Sequence, residues 1–383
     1  MRPTDALKII KQLLPGALLL AALLPLRPLP ARAAPAQARV VGIQIAVSPH
    51  IYRSRRVFEA RLEEAVSAAV RQSGRRPGEE LVLVLPEHFG TFLSFLDELG
   101  PIYSAPSRPV VAGLQVLTSP RFMAYHLKSA WKARNPGILA TYFVFQNLLR
   151  YKAEGLWKTY TEVFSALARR HKAIIVAGSI CVPRPEDLGR LLAPIYGTSA
   201  VFGPDGSILG IARKVHPVLE ETMFLTPSPA ADLKPIKTPA GLLGVLICSD
   251  SWFEDTYLSL RGAGFLAIPS ISEGGHAVFS KELKGIKNNQ LDVAEPQGGG
   301  PGSVMSQLLA RGAAGRIFLT GASGAVQPLL SGRMWDLESG GPGILVRRTG
   351  KTVALEFVDS IEGRDTFMNF LWLKKNTGAG GKL

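Results

Sequence analysis

Apolar and polar positions along this chain follow two alternating periods. Val40-Val41-Gly42-Ile43-Gln44-Ile45-Ala46 reads as a buried strand. From Arg53 to Gln72, apolar Val57, Leu62, Ala65, Val66 and Ala69 fall on one side of a helical wheel, which predicts an amphipathic helix. The alternation then repeats. Leu81 to Leu85 predicts a buried strand ending at Pro86-Glu87, and Thr159 to His171 predicts an amphipathic helix leading into a strand from Ala173 to Cys181. Between Val201 and Gly210 a hairpin is expected, because Pro204-Asp205-Gly206 supplies turn geometry between two apolar runs. Ala240 to Ile247 is a further strand running into Cys248, and Phe265 to Pro269 is the next. Strands that alternate with helices and also with hairpins predict an α/β fold with a mixed sheet. No fixed-period repeat is visible.

The first forty residues follow a different pattern. Arg2, Lys8 and Lys11 precede an apolar run from Leu13 to Leu26, which is followed by Ala31-Arg32-Ala33. This is the layout of a secretory signal peptide over residues 1–33. The run is shorter than the ~20 residues of a spanning helix and contains Pro15 and Pro25, so cleavage after Ala33 is expected, with an uncleaved membrane anchor as the alternative. The expected location is secreted or periplasmic. Residues 34–375 would form the folded domain; Gly298 to Gly302 reads as a flexible loop and 376–383 as a disordered tail.

Composition narrows the class. Of 383 residues, 46% are hydrophobic and 19% charged, which excludes wholesale disorder and a polytopic membrane protein. Lys and Arg number 44 against 30 Asp and Glu, and this excess raises nucleic acid or an anionic membrane surface as partners. No recognisable nucleic-acid module accompanies the charge, so nucleic acid is set aside. The six histidines show no metal-ligand spacing, and neither a Gly-x-Ser-x-Gly elbow nor a phosphate-binding loop is present, so no metal or cofactor is expected. Homo-oligomerisation is left open.

Three polar residues stand where apolar runs end: Glu87, Lys214 after the hairpin, and Cys248. Strand ends of this kind are where α/β sheets bind ligands. A thiol attacking an amide carbon needs a base that takes its proton and returns it to the leaving amine. It also needs a cation or N–H donors where negative charge develops. Glu, Lys and Cys can supply those roles. By contrast Cys181, inside an apolar run, reads as a packed core residue.

These segments resemble the nitrilase superfamily of carbon–nitrogen hydrolases. Leu85-Pro86-Glu87, Arg213-Lys214-Val215-His216-Pro217 and Gly244 to Phe253 around Cys248 are similar to its three motifs, in family order, within a similarity running from about Val40 to Pro328. The resemblance implies an α-β-β-α sandwich, Glu87 as general base and acid, and Lys214 stabilising the tetrahedral intermediate. It implies Cys248 as the covalent nucleophile and the Ser249 backbone N–H as second oxyanion donor. A second active-site glutamate is expected just beyond the lysine; Glu220 and Glu221 both qualify, and spacing favours Glu221. Ser249-Asp250 after the nucleophile, where true nitrilases have Trp-Glu, points to a small-molecule amide substrate over a nitrile. Trp252 stands where relatives acting on carbamoyl amino acids have Arg, and Tyr196-Gly197-Thr198 lacks an Asn common at that place.

Glu87 and Lys214 are 127 positions apart, beyond the family's usual separation, so an insertion is expected at about residues 99–149. Between Asp97 and Lys158 the chain is rich in turn breakers and aromatics, and Arg121, Lys128, Lys132, Arg134, Arg150 and Lys152 occur with no acidic residue among them. Two readings follow: a cover packed over the sandwich with its basic face in water, or a surface for anionic lipid. The leading expectation is an exported amidase. The alternatives are an N-acyltransferase using the same triad and a non-catalytic envelope-binding protein.

Overall fold

The computed structural model describes residues 37–134, 141–273, 290–293, 311–359 and 364–373; the expected leader 1–33, the glycine loop 298–302 and the tail 376–383 lie outside these described residues. The chain opens with β1 (Gln37–Gln44), β2 (Ala46–Val47), α1 (Arg55–Gln72) and β3 (Glu80–Val84). After a four-residue helix (Gly100–Tyr103) come three longer ones: α2 (Arg108–Thr118), α3 (Pro120–Ala133) and α4 (Thr141–His171). Next come β4 (Ile174–Val176), β5 (Ile180–Val182) and the hairpin of β6 (Tyr196–Phe202) and β7 (Ile208–Arg213). After them lie β8 (Ile236–Thr238), β9 (Gly241–Val245), α5 (Glu254–Ser259), β10 (Phe265–Ala267) and β11 (Gln290–Val293). The remaining strands are β12 (Gly324–Gln327), β13 (Ser331–Met334), β14 (Leu337–Ser339), β15 (Gly343–Thr349), β16 (Thr352–Val358) and β17 (Thr366–Leu373).

Two seven-stranded sheets form, in the orders β17-β1-β3-β4-β6-β5, with β7 along β6, and β11-β16-β15-β12-β10-β9-β8; β14-β13-β2 make a small third sheet. The first large sheet is mixed as expected, since β1 pairs parallel with β3 and antiparallel with β17. Successive strand side chains point to opposite faces, and this sorts the core. Val41, Ile43, Leu81 and Leu83 pack with Phe58, Leu62 and Val66 of α1 and with Tyr160 and Phe164 of α4. Val40, Val82 and Val84 face the other way, into a cluster with Val245, Leu266 and Val326 of the second sheet and Tyr257 of α5. The layering is the α-β-β-α sandwich. At Gly42 a Cβ would stand 2.7 Å from Val326 Cγ2, so the two sheets approach through a position that only glycine fits.

The structure departs from the sequence pattern at three places. The single strand expected over Ala173–Cys181 is two, β4 and β5, divided at Gly178. Gly178 has φ +65°, and a Cβ there would stand 2.1 Å from the Pro86 carbonyl oxygen, so the chain breaks step to pass the end of β3. The helix expected from Thr159 begins at Thr141. Gly155 lies inside it at a cost of about 1 kcal/mol, which the burial of Val144, Leu148, Leu156 and Tyr160 outweighs. Finally, the turn breakers read between Asp97 and Lys158 include helix starters. Pro109 and Pro120 stand in the first turns of α2 and α3, where the missing N–H costs nothing.

The segment expected to be an insertion is thus helical and packs onto the core through Val111, Phe122, Val144 and Leu148. Phe122, His126 and Ala130 of α3 are buried, with Phe122 and Tyr125 against Tyr151 of α4, while Leu127, Lys128, Trp131, Lys132 and Arg134 are exposed. Two of the six basic residues turn inward: Lys152 pairs with Glu98, and Arg150 Nε donates to the Ala193 carbonyl at 2.8 Å.

Candidate active site

Glu87, Lys214 and Cys248 each follow a strand of the sandwich, namely β3, β7 and β9. Lys214 Nζ donates to Glu87 Oε1 at 2.7 Å and lies 2.5 Å from Glu221 Oε2. The Lys214 and Glu87 side chains are each 1% exposed and Glu221 is 7% exposed. Of the two candidate glutamates, Glu221 is therefore the one in contact; Glu220 is exposed at the mouth of the same cavity. Burial opposes the charge on Lys214, but Glu87, Cys248 and Glu221 outweigh it and raise the ammonium pKa above the ordinary lysine value. Burial likewise pushes Glu221 up, yet its bond to His88 and the charges of Lys214 and His88 dominate and hold it at about 2. The second oxygen of Glu87, Oε2, is buried and has no hydrogen-bond partner among the described residues.

Cys248 has φ +50°, a left-handed conformation that a non-glycine residue adopts only when its surroundings hold it there. Its N–H donates to the Pro269 carbonyl at 2.8 Å and its thiol to the Ile271 carbonyl at 3.5 Å. Burial, then Glu87, push the thiol pKa up, with Lys214 pulling the other way. The resting group is a neutral thiol, and attack requires that its proton be removed. Ser249, the expected second oxyanion donor, is the second residue of the helical turn Cys248–Trp252, where backbone N–H groups have no acceptor within the turn. Its hydroxyl donates to the His216 carbonyl at 2.5 Å.

Two neighbours hold the site through contacts that the sequence does not report. Asp250 is fully buried; its Oδ1 accepts the Val215 and His216 N–H groups at 2.9 and 2.8 Å, and its Oδ2 accepts the Ile247 N–H at 3.2 Å. His88 is the other. Its Nε2 lies 3.1 Å from Glu221 Oε1, and its Nδ1 lies 3.2 Å from Thr91 Oγ1 and 3.6 Å from Cys181 Sγ. Burial opposes protonation, but Cys181, Glu87 and Glu221 outweigh it, and the pKa is well above the usual histidine value. Direct adjacency to Glu87 was the only signal for it. Cys181 is buried as expected, with a polar side, since it also accepts from Thr91 Oγ1 at 3.4 Å.

Glu87, His88 and Glu221 bring donor atoms within 4.8 Å of one another, a spacing that suits a cation. The Lys214 ammonium already bridges both carboxylates there. The structure also places two positions that the sequence singled out. Trp252 packs against the inter-sheet core and is not among the residues lining the cavity, so the indole does not face the site. At Tyr196-Gly197-Thr198, which lacks the Asn, the backbone supports the site: the Lys214 N–H donates to the Gly197 carbonyl at 2.8 Å, and a Cβ on Gly197 would stand 3.2 Å from Lys214 Cβ.

The site occupies one end of a cavity of about 580 Å³. Pro109, Val111 and Ala112 of α2 and Val144, Phe145 and Leu148 of α4 form one wall; Phe92, Phe95, Phe224, Ile271 and Trp335 complete an apolar lining.

A four-layer sandwich with buried Glu87 and Lys214 and a partly buried Cys248 at its strand ends defines the class, and comparison with known proteins agrees. The carbon-nitrogen hydrolase family model matches residues 38–326, and the chain belongs to that family. It is similar to the omega-amidase NIT2 of Danio rerio (36% identity over 102 residues, 25% of this chain and 34% of that protein). It is also similar to the omega-amidase NIT2 of Homo sapiens (33% over 120 residues, 28% of this chain and 40% of that protein). The matched stretch thus spans 34–40% of these relatives' length. In fold, the chain is similar to a carbon-nitrogen hydrolase from Helicobacter pylori G27, with TM-score 0.51, 16% identity, and 88% of this chain and 89% of that one covered. It is likewise similar to the C. elegans NitFhit protein, with TM-score 0.51, 18% identity, and 88% and 61% covered.

Proposed function

We propose that the chain is an amidase that cleaves a linear amide through an acyl-enzyme on Cys248. In this mechanism Glu87 takes the thiol proton while Sγ bonds to the carbonyl carbon. The electron pair displaced onto the carbonyl oxygen meets the Lys214 ammonium and the Ser249 N–H. Collapse of the tetrahedral intermediate breaks the C–N bond, and the amine leaves with the proton returned by Glu87. Water then gives a proton to Glu87 and attacks the thioester; the carboxylic acid departs and the thiol recovers its proton. Glu221 stays charged and fixes Lys214. The carrying observation is the buried Glu87–Lys214–Glu221 network beside a cysteine held at positive φ. The similarity to proteins named omega-amidases supports the amide as substrate class. Cys248→Ala should keep the fold and abolish amine release, and mass spectrometry of wild-type protein quenched during turnover should find the acyl adduct on Cys248. Turnover near wild type in folded Cys248→Ala protein overturns the mechanism.

A second observation concerns placement. Trp131 is 83% exposed and Leu127 50% exposed, beside exposed Lys128, Lys132 and Arg134. Rings and cations combined on one helix face match the chemistry of an anionic lipid surface, which we propose as the partner of α3. Among the described residues no helix is long and apolar enough to cross a membrane.

A further inference from the structure

The cavity over Cys248 carries more information than its catalytic groups, and from it we infer the substrate class: an amide whose acyl group is a long alkyl or arylalkyl chain. The inference rests on the amidase reading above and deepens it. Three observations support it.

The first is size. At about 580 Å³ the cavity has roughly four times the ~150 Å³ void that accepts benzene. A two- or three-carbon amide would leave most of this volume filled with water that makes poor contacts with carbon.

The second is the lining. The apolar part of the wall is Phe92, Phe95, Phe145, Phe224, Ile271 and Trp335. Phe145 and Phe224 meet edge to face at 5.2 Å between centroids, and Phe95 and Trp335 do so at 4.7 Å. These rings are held by their neighbours, so the wall is preformed. Its α2 and α4 side comes from the segment that separates Glu87 from Lys214, so the extra length of the chain is spent on an apolar wall over the nucleophile.

The third is charge. A second carboxylate on the substrate would need a cation, and among the described residues every cationic group lining the cavity is engaged. Lys214 lies between Glu87 and Glu221, and His88 meets Glu221. At the mouth, Arg108 Nε stands 3.0 Å from Asp336 Oδ1, and Arg108 Nη1 stands 3.5 Å from Glu273 Oε1. Glu220 adds a further acidic group to the lining. A dicarboxylic monoamide would place its free carboxylate either against apolar rings or beside acidic groups, and both placements disfavour it.

The test is an acyl-length series on the full chain: acetamide, butyramide, hexanamide, octanamide and 4-phenylbutyramide, with succinamic acid as the carboxylate-bearing counterpart of butyramide. kcat/KM should rise about fourfold per added methylene, the rate equivalent of about 0.8 kcal/mol per buried methylene. Succinamic acid should fall below butyramide by at least about tenfold. Ala112→Phe, which fills the wall, should flatten the series. Calorimetry on Cys248→Ala protein reads the pocket without the chemistry and should show octanamide binding more tightly than hexanamide, and hexanamide more tightly than acetamide. A series that is flat or falls with length, or succinamic acid as the best substrate, overturns the inference while leaving the amidase reading intact. Length-dependent binding with no turnover of any amide sinks the amidase reading and supports the pocket's chemistry.

Discussion

Asp250 Oδ1 accepts the backbone N–H of His216 at 2.8 Å, and this bond, with its twin from Val215, fastens the turn that carries Lys214 to the strand end that carries Cys248. Asp250→Asn substitutes an N–H₂ donor for one of two oxygens that both accept backbone N–H groups. At least one buried N–H then faces a donor, at a cost of about 1–3 kcal/mol. The expected result is a lower unfolding midpoint and a drop in kcat on the order of 10²-fold, because the nucleophile and its cation lose register. Unchanged kcat and unchanged stability would remove the clamp role.

Glu87→Gln keeps the shape of the side chain and its contact with Lys214 but cannot carry a proton. Acylation and deacylation should both slow by ~10²-fold or more. Pre-steady-state amine release and steady-state turnover measure the two steps, and an effect confined to KM is incompatible with proton transfer by this residue.

Lys214→Met removes the cation from the developing oxyanion and leaves two buried carboxylates unneutralised. A loss of about 3–4 kcal/mol in transition-state stabilisation is expected, read as kcat/KM on folded protein. Its circular dichroism must stay native for the comparison to count; a native-like variant with wild-type kcat/KM contradicts the assignment.

Glu221 is held at about 2, below its ordinary 4.5. A carboxylate depressed in the folded state contributes stability that is present above its unfolded pKa and lost as pH falls through its folded one. Denaturant midpoints of the native protein should therefore decline from about pH 4.5 toward about pH 2 more steeply than those of Glu221→Gln. Parallel pH profiles for the two proteins would show that Glu221 is not held by its neighbours.

The exposed face of α3 supports a separate expectation. Neutralising Lys128, Lys132 and Arg134 together removes about 3 kcal/mol of attraction to anionic lipid, on the order of 10²-fold in affinity. Co-sedimentation with phosphatidylserine vesicles should be strong for the native chain and nearly lost in the triple variant. No binding by the native chain, or equal binding by both, leaves the helix as a cover alone.

The candidate site was legible because each of its three principal residues stands where an apolar run stops, and such a stop shows in a linear string. Glu221 was half legible: spacing ranked it above Glu220, but only burial against Lys214 and His88 separates them. Asp250 and His88 act by pointing across the fold at residues 34 and 133 positions away, and no local pattern reports that. The break at Gly178 was hidden because both halves of the run are apolar, and what forces the break is the Pro86 carbonyl just beyond β3. The long helix was missed for the opposite reason. Proline and glycine were read as stops, while in α2 and α3 proline occupies the first turn, and in α4 glycine is carried by the packing on either side.

The closeness of Glu87 to Lys214 also bears on what the surroundings must do during the reaction. When the thiol proton moves to Glu87, one negative charge leaves the carboxylate and one appears on the substrate oxygen, and the total charge of the buried cluster stays constant. Lys214 faces that charge before and after the transfer, so the redistribution spans a few ångströms beside two side chains that are almost wholly buried. Solvent and counter-ions therefore have little rearranging to do. Such a reaction is insensitive to ionic strength in its chemical step, and salt would act on this protein at its basic surface and not at its centre.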